Sequence, residues 1–308
     1  MKIFSLLVLM LLGKALVHAQ QESQFTNYMV NTTAINPAYT TQEKGLTLLG
    51  LQRNQWVGLD GAPVTTMLSG HTPLPFTNMT LGANIIHDKI GPTSETLISI
   101  DYAYALKLNK QNKLSFGLKA SGSFFDLDYS QLNAKDNDDI QFNDRNLESL
   151  NPNIGMGIYY NTNKWYLGVS TPFLIETKRE MNKDDLDLPS LSTIKRHYYL
   201  ISGYVFDINK EVKLKTALLT KIVQGSPVSY DGSISVLLQN KITIGASYRH
   251  KAAISMRTGY QINPRMAIGY SYDFETTELA RTNNGSHEFF LKYMIHKKTK
   301  KVLTPRFF

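Results

Sequence analysis

Cysteine is absent from the 308 residues. That excludes a disulfide framework, a thiolate metal site, a cysteine nucleophile and a lipid-modified N-terminal cysteine. Tryptophan is scarce as well: two residues stand against 17 Tyr and 14 Phe. Together with plentiful β-formers, that aromatic bias favours strands over helices. Beyond the first segment no apolar run reaches the roughly 20 residues a membrane-spanning helix needs. An exported chain of this kind is either soluble or crosses the membrane with strands. The formal net charge is +8 at pH 7 and is unevenly spread. Basic residues gather at the end, in His296, Lys297, Lys298, Lys300, Lys301 and Arg306. Acidic ones gather in an internal stretch, with Asp126, Asp128, Asp136, Asp138, Asp139, Asp144 and Glu148. Both read as solvated segments. Nucleic-acid binding is not expected, because an exported chain rarely meets nucleic acid.

Export is read from the start of the chain. Lys2 supplies a positive charge, residues 3–12 form an apolar run, and Val17-His18-Ala19 offers a cleavage site before Gln20. This order is that of a secretory signal peptide over residues 1–19.

What is abundant is alternation. Ile98, Ile100, Tyr102, Tyr104, Leu106 and Leu108 alternate with Ser99, Asp101, Ala103, Ala105 and Lys107. Leu114, Phe116, Leu118, Ala120 and Phe124 alternate with Ser115, Gly117, Lys119, Ser121 and Ser123. Met266, Ile268, Tyr270, Tyr272 and Phe274 alternate with Arg265, Ala267, Gly269, Ser271 and Asp273. Successive strand residues point to opposite faces, so each segment has one apolar face and one small, polar or charged face. About fourteen such segments are expected, starting near Gly45, Val64, Met79, Thr96, Lys113, Asn153, Trp165, His197, Val212, Val228, Ile242, Ala252, Arg265 and His287.

The connections alternate too. Short turns rich in Asn, Asp and Pro follow the even segments, at residues 74–78, 109–112, 161–164, 207–210, 239–241 and 262–264. Longer ones follow most odd segments, at residues 55–63, 87–93, 126–152, 172–196, 222–227 and 275–286, with a tight link near His250. Short turns on one rim and long loops on the other belong to outer-membrane barrels. Segment lengths near the bilayer requirement, a small and polar second face, and aromatics near segment ends favour that reading over a soluble exported β domain.

The expected fold is therefore all-β, a transmembrane antiparallel β-barrel of about 14 strands. The expected division is a signal peptide at 1–19, a periplasmic or plug segment at 20–44, the barrel at 45–296 and a basic periplasmic tail at 297–308. An even strand count places both barrel ends, and with them the N-terminal segment and tail, on the short-turn, periplasmic rim.

Catalytic chemistry is not expected. Ser286-His287-Glu288 are neighbours on a strand and so point to opposite faces, a poor triad. Ser69 and His71 share a face but have no carboxylate near in sequence. Asp136-Asn137-Asp138-Asp139 lacks the glycine and distal glutamate of a calcium loop. Gly155 and Gly157 precede no helix; they read as relief of crowding inside the barrel rather than as a phosphate loop. No metal and no cofactor are expected. The alternative function is a channel or transporter for a small solute, which requires an open lumen.

Several blocks together carry a resemblance. They are Gln24-Phe25-Thr26-Asn27-Tyr28-Met29, Ile35-Asn36-Pro37-Ala38-Tyr39, Gln55-Trp56-Val57-Gly58, Gly61-Ala62-Pro63, Ser69-Gly70-His71-Thr72-Pro73-Leu74, Trp165-Tyr166-Leu167-Gly168-Val169-Ser170 and Gly285-Ser286-His287-Glu288. Over nearly the whole chain after the leader, the sequence resembles the PorP/SprF family of type IX secretion outer-membrane proteins of Bacteroidota. The resemblance implies a non-enzymatic barrel with a role in export or surface display, in some species supporting gliding motility. It implies a membrane-lipid environment and, as partners, a periplasmic OmpA-like peptidoglycan-binding protein, secretion-ring components, or a large adhesin with a type-B C-terminal domain. The family assigns no catalytic residues. Asn36, Pro37, Tyr39, Trp56 and His71 are the residues expected to contact a partner.

Overall fold

The computed structural model describes residues 23–43, 45–75, 77–128, 147–179 and 192–295. The expected leader (1–19), the basic tail (297–308) and the centre of the acidic loop lie outside these residues.

The strands are β1 (Leu46–Asn54), β2 (Val64–Pro73), β3 (Met79–Ile90), β4 (Thr93–Lys107), β5 (Lys113–Leu127), β6 (Leu147–Asn161), β7 (Trp165–Thr171), β8 (Thr177–Arg179), β9 (Ser192–Ile194), β10 (His197–Asp207), β11 (Val212–Val223), β12 (Ser229–Leu238), β13 (Ile242–Arg249), β14 (Ala253–Asn263), β15 (Met266–Glu275) and β16 (Ser286–Ile295). Fourteen of them close into an antiparallel barrel, and β8 pairs only with β9. The seam joins first strand to last, from Leu46 opposite Ile295 to Asn54 opposite His287. Closure removes the unpaired edges an open sheet would present.

The wall is inverted relative to a soluble protein. On β4, Ile100 is 62% exposed and Ile98 and Leu106 are also exposed, while Ser99, Asp101 and Ala103 are buried. The same holds for Leu68, Leu118, Ile154, Ile244 and Met256 outside, and for Lys119, Asp231, Arg257 and Glu288 inside. An apolar exterior around a polar interior is the arrangement of a barrel solvated by lipid. Exposed aromatics collect toward both ends. Tyr104, Tyr204, Tyr260 and Tyr293 lie near the short-turn rim, and Tyr198, Tyr230, Tyr248 and Phe274 near the long-loop rim. Such belts mark the two membrane–water interfaces. Among the described residues no helix is long and apolar enough to cross a membrane.

Two boundaries depart from the sequence reading. β6 begins at Leu147, not near Asn153. Pro152 sits inside it, paired with Gly122 on β5. On its other side β6 meets β7 only from Met156 onward, so the missing N–H of Pro152 faces a side where no ladder requires it. The expected long connection over 87–93 is instead two residues, Gly91 and Pro92. Pairing of β3 with β4 continues through Asp88 opposite Glu95 and Lys89 opposite Ser94, and Gly91 takes φ +53° at the turn.

The N-terminal stretch takes the plug course, one of the two expected for it, and differs in where it starts. Residues 23–43 run inside the barrel, with a helical turn at Thr32–Ile35 and a 3-10 helix at Pro37–Gln42. This stretch does not lie at the short-turn rim, as strand parity led one to expect. It starts near the long-loop end, where Ser23 hydrogen-bonds Asp88, and descends the lumen to Glu43 beside Lys292 at the short-turn end.

Candidate functional site

The interior of the barrel is occupied by its own N-terminal segment, and the contact between them is the site. Thr26, Asn27, Asn31, Thr32, Asn36, Ala38 and Thr40 are all nearly inaccessible.

At the long-loop end the grip is ionic. Arg53 on β1 pairs with Asp273 on β15 at 2.7 Å and with Glu288 on β16 at 3.2 Å. Arg53 also donates to Thr26 Oγ1 at 2.8 Å, and Thr26 Oγ1 donates to Asp273. Glu288 accepts the backbone N–H of Thr26 and that of Asn27, both at 2.8 Å, and the Asn27 side-chain amide at 2.8 Å. A buried carboxylate is tolerated only when paired and hydrogen-bonded, and here the segment itself completes the shell. Phe25 packs below against Leu51, Met67 and Ile86 of the wall.

At the middle and lower levels the grip is one of shape. A Cβ on Gly117 would overlap the backbone of Ala38, and one on Gly157 would overlap Asn36 Oδ1. These glycines let the turn at 36–38 lie directly on the wall. The Asn36 side chain accepts from Ala38 N–H at 3.0 Å and donates to the Ile158 carbonyl at 3.2 Å. Ser170 donates to the Ile35 carbonyl at 2.8 Å. Tyr39 meets Tyr159 edge-on at 5.4 Å, and Tyr159 stacks on Tyr166 at 5.7 Å. With Tyr28, Ala38 and Ile201 these rings form a buried apolar cluster. Lys113 donates to the Thr41 carbonyl at 2.7 Å, and Lys292 meets Glu43 at 2.6 Å.

Of the five residues singled out from sequence, Asn36, Pro37 and Tyr39 come together in this contact, buried against the wall. His71 is buried on the inner face of β2, and neither ring nitrogen has a hydrogen-bond partner among the described residues. Trp56 stands apart, at the long-loop rim. It is half-buried with φ +46°, and its indole N–H donates to Glu275 at 3.0 Å. Its neighbour Val57 is bridged to Gly285 and Asn284, which locks the β1–β2 loop to the β15–β16 loop. Ser286 and Glu288 point inward and His287 does not, its ring bonded to Tyr270 at 2.8 Å. Among the described residues no group of three or more His, Asp or Glu is placed to hold a metal ion.

Arg53, Asp273 and Glu288 were not singled out from sequence as site residues. The signal was present in Asp273, a charge on the polar face of an alternating segment, and in Thr26, Asn27 and Glu288 lying within two separate signature blocks. What was missing was the third dimension, since Arg53 and Glu288 are 235 residues apart in the chain.

A closed wall with an apolar exterior, two aromatic belts and a charged, filled interior defines an outer-membrane β-barrel. Solved structures share the fold. The CymD monoaromatic hydrocarbon channel matches at 13% identity over 87% of this chain and 93% of that one, with a TM-score of 0.52. The Ralstonia pickettii toluene transporter TbuX matches at 10% identity over 85% and 92%, with a TM-score of 0.51. At such identities the likeness is one of fold. No curated protein matches the chain. Residues 17–293 match the family of the type IX secretion system membrane protein PorP/SprF, and the chain belongs to that family.

Proposed function

We propose that this type IX secretion membrane component is a non-enzymatic outer-membrane anchor, assisting export or surface display with its lumen held closed by its own N-terminal segment. The observation that carries the reading is the double grip on residues 23–43, ionic at Thr26 and Asn27 and steric at residues 36–38. A segment fixed at both levels closes the lumen to passage and leaves the rims to meet folded partner proteins. The short-turn rim, with the end of β16, faces the periplasm in this reading, as short turns do in outer-membrane barrels. Its partners there are an OmpA-like peptidoglycan-binding protein and secretion-ring components. A large adhesin with a type-B C-terminal domain is the client in the display setting, which includes gliding motility. Trp56, at the opposite rim, is the residue of the five that we assign to partner contact; Asn36, Pro37 and Tyr39 hold the segment against the wall, and His71 lies buried on the inner face of β2.

The test is affinity purification of the intact chain from detergent-solubilised outer membrane. Co-recovery of an OmpA-like protein or an adhesin is expected; recovery of the barrel alone contradicts the reading. The second reading, a small-solute channel, draws on the CymD monoaromatic hydrocarbon channel and the TbuX toluene transporter, which share the fold. It requires the segment to leave the lumen. Single-channel recording in planar bilayers separates the two: the anchor gives no steady conductance, the channel a stable one.

A further inference from the structure

Beside the tyrosine cluster, on the opposite side of the lumen from β6 and β7, the segment does not fill the interior. A cavity of about 170 Å³ remains between it and strands β11 to β16. Lys241 on the β12–β13 turn and Met294 near the end of β16 are among its lining residues, which sets it at the short-turn end.

The charge there is one-sided. Lys215, Lys241, Arg257 and Lys292 line the cavity, and among the described residues the single lining carboxylate is Glu43, taken up by Lys292 at 2.6 Å. The contrast with the long-loop end is direct: there Arg53 faces both Asp273 and Glu288, and Arg249 faces Asp231 at 3.2 Å. Arg257 is buried; its guanidinium bonds Ser235 and touches Met29 Sδ at 3.8 Å, and its Nε has no hydrogen-bond partner among the described residues. Lys215 lies over the Tyr166 ring at 5.4 Å. Cations of one sign in a lumen of low dielectric repel one another and attract an anion strongly. The rest of the lining is mixed: apolar side chains such as Met29, Leu237, Ile268 and Phe290 stand beside polar ones such as Ser235, Thr243 and Gln261. By size alone the space admits a single aromatic ring, since a cavity of roughly 150 Å³ holds benzene, and Met29 and Phe290 offer it apolar contact while the cations offer a charged group a partner.

We propose that this cavity is a binding site for a carboxylate carried on a ring-sized apolar group, entering from the short-turn rim. The carboxylate meets Arg257 and Lys241, and the apolar part lies against Met29 and Phe290. Two sources share this chemistry: a free aromatic acid, and the C-terminal residue of a polypeptide. The site is independent of which secretion component docks on the barrel.

Isothermal titration of the full chain in detergent tests it with benzoate and Gly-Gly-Phe, each against its neutral counterpart, benzyl alcohol and Gly-Gly-Phe amide. At least one acid is expected to bind with a dissociation constant of about 1 mM or below, and its neutral counterpart about tenfold more weakly or worse. Tighter binding of benzoate identifies the free acid as the source; tighter binding of the peptide identifies a polypeptide terminus. Arg257→Gln is expected to abolish binding. Lys241→Glu, on an exposed turn where folding is not at stake, is expected to weaken it about tenfold, with heat-modifiable migration confirming the barrel. The proposal is overturned if neither acid binds at about 10 mM, if the neutral compounds bind equally, or if Lys241→Glu leaves the affinity unchanged.

Discussion

Two levels of the lumenal segment, residues 26–27 and residues 36–38, are held by different physics. At the long-loop end, Thr26 and Asn27 complete the coordination of a buried Arg53–Asp273–Glu288 cluster. At the level of residues 36–38 no ion pair is involved; the chain lies on a wall cleared of side chains at Gly117 and Gly157. A charged cluster is unforgiving of the loss of one member, because the others stay buried and unpaired. A steric seat fails by addition instead, when a side chain occupies the space the segment needs. The barrel thus has one anchor that deletion breaks and one that insertion breaks.

That difference orders the expected effects. Arg53→Met removes the cation that bonds both Asp273 and Glu288 and leaves the two buried carboxylates without their ion-pair partner. It is expected to cost about 3–5 kcal/mol and to free the upper part of the segment, read as protease cleavage near residues 23–27 in folded barrels. Gly117→Val overfills the seat and is expected to cost about 1–3 kcal/mol; cleavage then appears at residues 36–40 while the upper anchor stays protected. Asn36→Ala removes the side chain that both caps Ala38 and reaches the wall, leaving the Ile158 carbonyl short of a donor. A loss of about 1–2 kcal/mol is expected, measured as a lower urea midpoint with an unchanged slope. Lys292→Gln breaks the pair with Glu43 at the partly solvated short-turn end. About 1 kcal/mol or less is expected, diminishing with added salt. If Gly117→Val exposed residues 23–27 as readily as 36–40, the two anchors would be one cooperative unit.

Most of the wall was legible in the sequence because a lipid-facing strand writes its two environments into alternate positions. Ile98 to Leu106 on β4 and Met266 to Phe274 on β15 follow that pattern, and both strands are where the pattern put them. It failed where a local rule met an unusual context. Pro152 reads as a strand breaker but lies where no strand pairs with β6 on its far side among the described residues. His87, Asp88 and Lys89 read as a loop but continue the ladder. β8 and β9, three residues each, are too short to show a period. The site was harder. Thr26, Asn27, Asn36, Tyr39 and Glu288 all fall in blocks conspicuous in the sequence, yet nothing local said that these blocks touch each other. Periodicity reports which face a residue takes, not what fills the space behind that face. The path of residues 23–43 down the lumen depends on contacts more than 200 residues apart and has no periodic signature.

The absence of cysteine permits a direct measurement of that path. Asn27 Nδ2 lies 3.0 Å from Ser271 Oγ, whereas Ser99 belongs to the polar cluster with Asn84 on β3 and β4. In outer membranes carrying Asn27→Cys with Ser271→Cys, mild oxidation is expected to form an intramolecular crosslink that shifts electrophoretic mobility; Asn27→Cys with Ser99→Cys is expected to form none. Both thiols of the first pair reacting freely with a bulky maleimide, and no crosslink, would mean that the segment lies outside the barrel.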